Sequence, residues 1–386
     1  MERLGAALTA AAHDAVTLAI GLLGAMALFQ GLLRVAEAAG VLAALARLLR
    51  PLLIRLFPQV PADDPAMGTM VMNVAANMLG LSNAATPFGV RAIRELDRLN
   101  PTPGTATDAM VLFLAINTAN VTLLPTHVMA LRVAAGSHDP AAVIATTLFA
   151  TVFSTGTAIA VTRLGRRWFP APGAAEPSRS GQRSPAGPRH LLALAVAGAA
   201  LLAAVAALLA WGRWLSPWIL PLLVVGILGY GLARRVAIYS VFVRGAREGL
   251  LVTLRIAPYL VAIMMAVDMF RASGAMAALA GPLGRLTAPL GLPPEALTMA
   301  ALRTLSGSGS FGYLAALLKD PAVGPDSYLG MLASTLYGSS ETTFYVLAVY
   351  FGAVGVKRIR HALLAGLAAD IAALAASVVI CRGLYG

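Results

Sequence analysis

Residues Gly338-Ser339-Ser340-Glu341-Thr342-Thr343 place a carboxylate and four hydroxyls inside a stretch that is otherwise apolar from Tyr328 to Phe351. A carboxylate at bilayer depth is expensive and normally faces a cavity or a partner. Gly338 favours local unwinding, which exposes carbonyls. Freed carbonyls and the hydroxyls of Ser339, Ser340, Thr342 and Thr343 can then coordinate a cation. Glu341 can bind a proton, a cation or a substrate amine. The competing reading is a buried acid paired with an arginine that serves packing alone.

Arg303 is the natural counter-charge. It precedes Ser306-Gly307-Ser308-Gly309-Ser310, where glycines let backbone N–H groups turn toward an anion. Its guanidinium could hold a carboxylate or phosphate bidentately, or it could simply snorkel to water. The first half of the chain offers amides instead. Asn73, Asn77, Ser82, Asn83 and Thr86 lie in one broken apolar stretch, and Asn117, Thr118, Asn120 and Thr122 in a crossing interrupted before Pro125. Asn73 and Asn77, four apart, share one helix face. Such amides can also act as glue between membrane helices, at about 1 kcal/mol per contact. Asp370, a lone acid in LLAGLAADIAALAAS, reads as a proton relay or an interhelical contact. His127 could titrate near neutrality, and Cys381 reads as a small apolar residue.

Several chemistries find no support. One cysteine allows no internal disulfide, and the five histidines lack metal-site spacing. There is no phosphate-binding loop for direct ATP drive. No soluble domain carries a nucleophile–base–acid set, which argues against an enzyme. No cofactor is expected beyond a coupling ion, sodium or a proton.

The elements that must position these groups are membrane helices. Hydrophobic residues make up 59% of the chain and charged ones 12%, with a mean hydropathy of +0.78. Soluble domains carry about a quarter charged residues. Apolar windows near the bilayer thickness predict crossings at Ala15–Val35, Ala109–Ala130, Ala141–Val161, Leu191–Trp211, Pro217–Leu232, Leu250–Phe270, Tyr328–Phe351 and Ala362–Cys381. Gly40–Phe57 and Gly274–Leu290 read as interfacial or hinge helices. Counting those two as crossings as well would bury Arg47 and Arg50 in lipid.

The net charge of +12 is almost all arginine, clustered between apolar segments. It reads as orientation in the membrane rather than nucleic-acid binding. Arginines at 47–55, 91–98, 163–189 and 234–247, together with the VKRIRH turn, fall on one side if both termini are outside. The expected location is the bacterial cytoplasmic (inner) membrane. The expected partners are the lipid bilayer, a small solute and, in a homo-oligomer, further copies of the chain.

An internal repeat follows. GVLAALA (Gly40–Ala46) and GAMAALA (Gly274–Ala280) share five of seven residues. Each precedes a broken apolar stretch (Asn73–Gly89 and Ala301–Gly312) and then an interrupted crossing (Ile116–Pro125 and Tyr337–Tyr345). The fold expected is an all-α integral membrane protein with two inverted-topology repeats, re-entrant broken hairpins and interrupted helices. The repeats would span 1–161 and 244–386, separated by a basic cytoplasmic linker at 162–190 and a two-helix insert at 191–243.

The same residues carry a resemblance. NAATPFGVRAIRELDRLNP and INTANVTLLPTHVMALR resemble spore maturation protein A; LRTLSGSGSFGYL and YGSSETTFYVLAVYFGAVGVKRIRHAL resemble spore maturation protein B. Both belong to the gate-domain, or nucleoside-recognition, superfamily. That superfamily also includes concentrative nucleoside transporters and the membrane part of ferrous iron transporter B. The resemblance implies a membrane transport fold. The expected function is secondary transport of a small polar or anionic solute, coupled to a cation or proton through Glu341. The alternatives are a metal-ion permease and a non-transporting scaffold in envelope or spore maturation.

Overall fold

The computed structural model describes residues 2–170, 214, 216–275, 287, 289 and 291–386, with backbone only for residues 2–7, Ser82 and Asn83. Among the described residues the chain is helical, and its one extended contact is an isolated bridge between Thr105 and Arg358. Five helices are long and apolar enough to cross a membrane, with spans Leu8–Ala38, Pro140–Gly165, Ser216–Ala233, Ile238–Ala272 and Ala362–Tyr385. They contain five of the crossings expected from sequence. The expected crossing Leu191–Trp211 lies outside the described residues.

The helices run in chain order as α1 (Glu2–Ala38), α2 (Val41–Leu56), α3 (Pro65–Met78), α4 (Ser82–Arg98), α5 (Asp108–Ala119), α6 (Thr126–Ala134) and α7 (Val143–Gly165). Then follow α8 (Ser216–Ala233), α9 (Ile238–Ala272), α10 (Pro294–Leu305), α11 (Gly307–Lys319), α12 (Tyr328–Gly338), α13 (Thr343–Gly352) and α14 (Ala362–Tyr385). The two remaining crossings read from sequence are each split, α5 from α6 and α12 from α13. Helix α7 continues to Gly165, past the expected start of the linker at Thr162. Helix α2, within the expected interfacial or hinge segment Gly40–Phe57, buries Leu42, Ala46 and Leu53 while Leu48 and Leu52 stay exposed. Most of Gly274–Leu290 lies outside the described residues.

Two long helix pairs frame the molecule. Helix α1 packs along α9, where Gly245 and Gly249 form a small-xxx-small seam. A Cβ on either glycine would come within 2.5 Å of a carbonyl oxygen of α1, that of Gln30 or Met26. Only glycine allows this backbone contact. Helix α7 packs along α14 through small residues, and Ser154 donates to the Ala369 carbonyl at 3.0 Å. Ala115, Ala119, Ala158, Ala365 and Ala369 form a fully buried patch where α5, α7 and α14 meet.

Two arginines tie the split helices across the halves. Arg132 on α6 is fully buried and pairs with Asp326, immediately before the Ser327 cap of α12, at 2.8 Å. It also donates to the Pro325 carbonyl at 2.6 Å. Arg360, just beyond α13, pairs with Asp108, the first residue of α5, at 2.7 Å and donates to the Ala106 carbonyl at 3.1 Å. The exit of each split helix therefore clamps the entrance of the other.

Candidate functional site

Four chain breaks converge between these pairs. The first hairpin, α3–α4, turns through Gly80, whose φ of +72° and 2.5 Å approach to the Leu124 carbonyl (measured from a notional Cβ) exclude a side chain. Next to it, the Met78 carbonyl accepts from the N–H of Leu123, in the α5–α6 break. That break touches the other one directly: the Glu341 N–H donates to the Thr118 carbonyl at 2.8 Å. The α12–α13 break is held in turn by Arg303 of the second hairpin, α10–α11. Hairpin, break, break and hairpin form one continuous line of polar contacts.

Arg303 is buried, which sets aside the snorkelling alternative. It donates to the Ser340 carbonyl, to Thr342 Oγ1 at 3.4 Å and to Glu341 Oε2 at 3.5 Å. The Tyr337 ring lies 4.4 Å from the guanidinium carbon, a cation–π contact. The backbone left unpaired by unwinding α12 thus gains a charged donor. Glu341 keeps its side chain 43% exposed, so its carboxylate is only partly engaged by Arg303.

A cavity of about 630 Å³ opens at this junction, within the size range of small-molecule sites. Its polar wall includes Asn120, Thr122, Thr126 and His127 from the first half and Arg303, Ser306, Ser308, Ser340, Glu341 and Thr342 from the second. Tyr259 of α9, Tyr337 and Tyr345 add aromatic surface. Arg303 Nε and Thr126 Oγ1 are buried without a partner. The chemistry on offer is one guanidinium, one carboxylate, an imidazole, hydroxyls and an amide, suited to a small solute with anionic and hydroxyl groups.

Apart from Ser306, and from Ser82 and Asn83, the other residues singled out in the sequence do not line this cavity. Asn73, Asn77 and Asn117 gather around Tyr350, with Asn73 Oδ1 left unpartnered. Asn77 Nδ2 donates to Asn117 Oδ1 at 2.9 Å, the Tyr350 hydroxyl donates to the same oxygen at 3.2 Å, and Asn73 Nδ2 donates to the Ala85 carbonyl at 2.8 Å. Thr118, Ser310 and Ser339 donate to carbonyls on their own helices. Ser306 caps α11 by accepting from the Gly309 N–H. Thr86 is half-buried on α4, and the side chains of Ser82 and Asn83 lie outside the described residues. Thr343 donates to Asp370 Oδ2 at 2.8 Å, and Thr304 donates to the same oxygen at 3.0 Å. Cys381 is buried, 3.5 Å from Thr335 Oγ1.

Sequence reasoning passed over Tyr350, Thr304 and both clamping arginines. A signal was available for one of them: Arg132 is a lone charge in the apolar run HVMALRVAA.

The sequence profile of the Gate family, described as nucleoside recognition, matches residues 19–166 and 253–357. The chain belongs to the Gate family. Both matched regions contain a split helix, and residues 19–166 also span the first hairpin and 253–357 the second. Among its relatives is spore maturation protein B of Bacillus subtilis (strain 168), 41% identical over 174 residues, covering 45% of this chain and 97% of that protein. Spore maturation protein A of the same organism is 40% identical over 152 residues, covering 39% of this chain and 78% of that protein. No solved structure matches this Gate protein.

Proposed function

We propose that this Gate protein is a secondary transporter of a small polar or anionic solute, bound in the cavity between the two split helices. The carrying observation is the convergence of four helix breaks on one polar cavity inside an apolar helical protein. Irregular backbone at membrane depth persists where protein buries it or where it lines a water-filled cavity. In this reading Arg303 recognises an anionic group. Glu341 binds the coupling cation or proton, or a positive group of the solute. Asn120, Thr122, Ser306, Ser308, Ser340 and Thr342 supply hydrogen bonds.

The reading includes two inverted repeats, at 1–161 and 244–386, joined by the linker and insert. Three observations support it. The order long helix, hairpin, split helix, long helix occurs twice. The first long helices pair with each other, as do the last. The two arginine clamps are reciprocal, each tying one split helix's exit to the other's entrance. An inner-membrane location with both termini outside follows from the arginine distribution.

The relatives' names favour a second reading, a non-transporting scaffold in envelope or spore maturation. A metal-ion permease has less support, since among the described residues no three His, Cys, Asp or Glu gather. Flux separates these readings. Purified protein in liposomes, loaded in turn with phosphate, dicarboxylates, amino acids and nucleosides, should exchange at least one class with labelled solute outside. Absence of exchange for every class, from protein shown to be folded, would sink the transporter reading.

A further inference from the structure

We propose that Asp370 is a proton-binding site, separate from the solute cavity and joined to it through Arg303 and Ser340. Asp370 lies about a third of the way along α14 and reaches two other helices, α10 and α13. Thr304 Oγ1 of α10, the hairpin arm, lies 3.0 Å from Asp370 Oδ2, and Thr343 Oγ1, at the start of α13, lies 2.8 Å from the same oxygen. Asp370 Oδ1 is buried without a partner. A second cavity of about 340 Å³ adjoins the group, and Arg303 and Ser340 line both cavities.

Counting protons makes the case. Thr304 Oγ1 also lies 3.2 Å from the Ala300 carbonyl, yet a hydroxyl has one proton to give. If Asp370 is ionised, Thr304 must choose between the carboxylate and that carbonyl. If Asp370 carries a proton on Oδ2, the acid donates to Thr304, Thr304 donates to Ala300, and Thr343 still donates to Asp370. One added proton therefore completes the hydrogen bonds linking α10, α13 and α14. Losing it places a buried charge with one oxygen unpartnered, a cost that favours rearrangement.

The surroundings leave Arg303 as the charge acting on Asp370. Of the polar residues that neighbouring helices bring to this part of α14, Thr118 lies beside Gly366, Ser154 donates to the Ala369 carbonyl and Ser339 shares the second cavity, and none of them titrates. Glu341 and Tyr337 contact Arg303 itself. Arg303 and Asp370 line the second cavity together, so protonation at Asp370 would remove a negative charge from the surroundings of Arg303, which holds the Ser340 carbonyl at the wall of the solute cavity. This coupling rests on the transport reading above; the proton site does not.

The test needs no solute. Infrared spectra of the purified full chain are recorded across a pH titration, and those of Asp370→Asn are subtracted from those of the wild type. The difference should contain one protonated-carboxyl C=O stretch that shifts on deuteration, and the same component should appear when the subtraction is repeated in a Glu341→Gln background. With its amide nitrogen in the Oδ2 position, asparagine can donate one hydrogen to Thr304 and the other to Thr343, so that variant keeps a neutral link to both threonines and should fold. Thr343→Val removes one donor to the charged form and should displace the pH midpoint of the band. No such component in the difference, its loss in the Glu341→Gln background, an unmoved midpoint in Thr343→Val, or a component governed by sodium at fixed pH would each overturn the site. A solute flux that fails while the band behaves as expected would count against the transporter reading only.

Discussion

The two split helices solve the same problem with opposite chemistry. At the α5–α6 break the polar groups beside the gap are neutral, and Asn77, Asn117 and Tyr350 close on one another away from the cavity. At the α12–α13 break the gap is held by a buried guanidinium, and a half-exposed carboxylate faces the cavity. A neutral network stiffens the structure, and here it leaves only uncharged atoms over, Asn73 Oδ1 and Thr126 Oγ1. A charged one leaves bonding capacity over: Arg303 Nε is unpartnered and Glu341 is only partly engaged. Polar residues in a membrane helix are thus not one category. The Asn77–Asn117–Tyr350 cluster reads as architecture, while the charged groups of the second break read as the place where a ligand's charge would be recognised.

The largest test of this contrast is Arg303→Leu. Truncating a buried, hydrogen-bonded charge at a binding surface costs about 2–5 kcal/mol. Solute affinity should therefore fall by roughly thirtyfold or more, read from the ligand concentration that raises the unfolding temperature. Unchanged affinity would remove Arg303 from recognition. Glu341→Gln should come next. It keeps shape and hydrogen bonding but deletes the charge, so folding should persist while the accumulation ratio drops by about tenfold, the scale of a typical coupling free energy. Uptake per folded molecule at two pH values, with and without sodium, reports it; wild-type accumulation in the variant would assign Glu341 to packing.

Asn117→Leu should show the reverse profile. It strands the Asn77 amide and the Tyr350 hydroxyl, which costs about 1–3 kcal/mol of stability, while affinity in the folded fraction stays unchanged. Thermal unfolding beside a binding isotherm distinguishes the two effects. A lost affinity with normal stability would erase the contrast between the breaks.

Much of this arrangement was legible in the sequence because a polar run inside an apolar stretch is conspicuous. Asn117–Pro125 and Gly338–Thr343 mark both breaks, and Ser306–Ser310 marks the second hairpin. The pairing of Arg303 with Glu341 could also be reached by matching the charges nearest the breaks. What could not be read was carried by backbone or by distant partners. The Glu341 N–H to Thr118 carbonyl contact involves no side chain, so residue type says nothing about it. Asp370 looked solitary because its partners stand 27 and 66 residues away. Asn73, Asn77 and Asn117 looked like the residues of the binding site, since composition does not distinguish an amide facing a cavity from one facing another amide. The start of α9 at Ile238 rather than near Leu250 was hidden by Arg244 and Arg247, whose charges broke the apolar window without breaking the helix.

The smallest expected effect is that of cutting the chain once within the expected linker, between residues 180 and 181. Co-expressed pieces 1–180 and 181–386 should co-purify and retain the wild-type affinity. Contacts along α1–α9 and α7–α14, with both arginine clamps, join the halves independently of that connection. The connection would then add only effective concentration. Pieces that separate would mean that the connection itself maintains the assembly.

The reciprocal clamps bear on inheritance as well as on shape. Asp108 is answered by Arg360 and Arg132 by Asp326, so each half carries one member of both pairs. A change at one of the four positions alters the setting of its partner in the other half, which ties the drift of two distant sequence regions together, although Asp108 also keeps Arg166 of its own half at 3.3 Å. A chimera that exchanged one half for that of a relative would keep its own helices intact. Its compatibility would be decided at these two ion pairs, on opposite ends of the split helices, before any question of substrate arose.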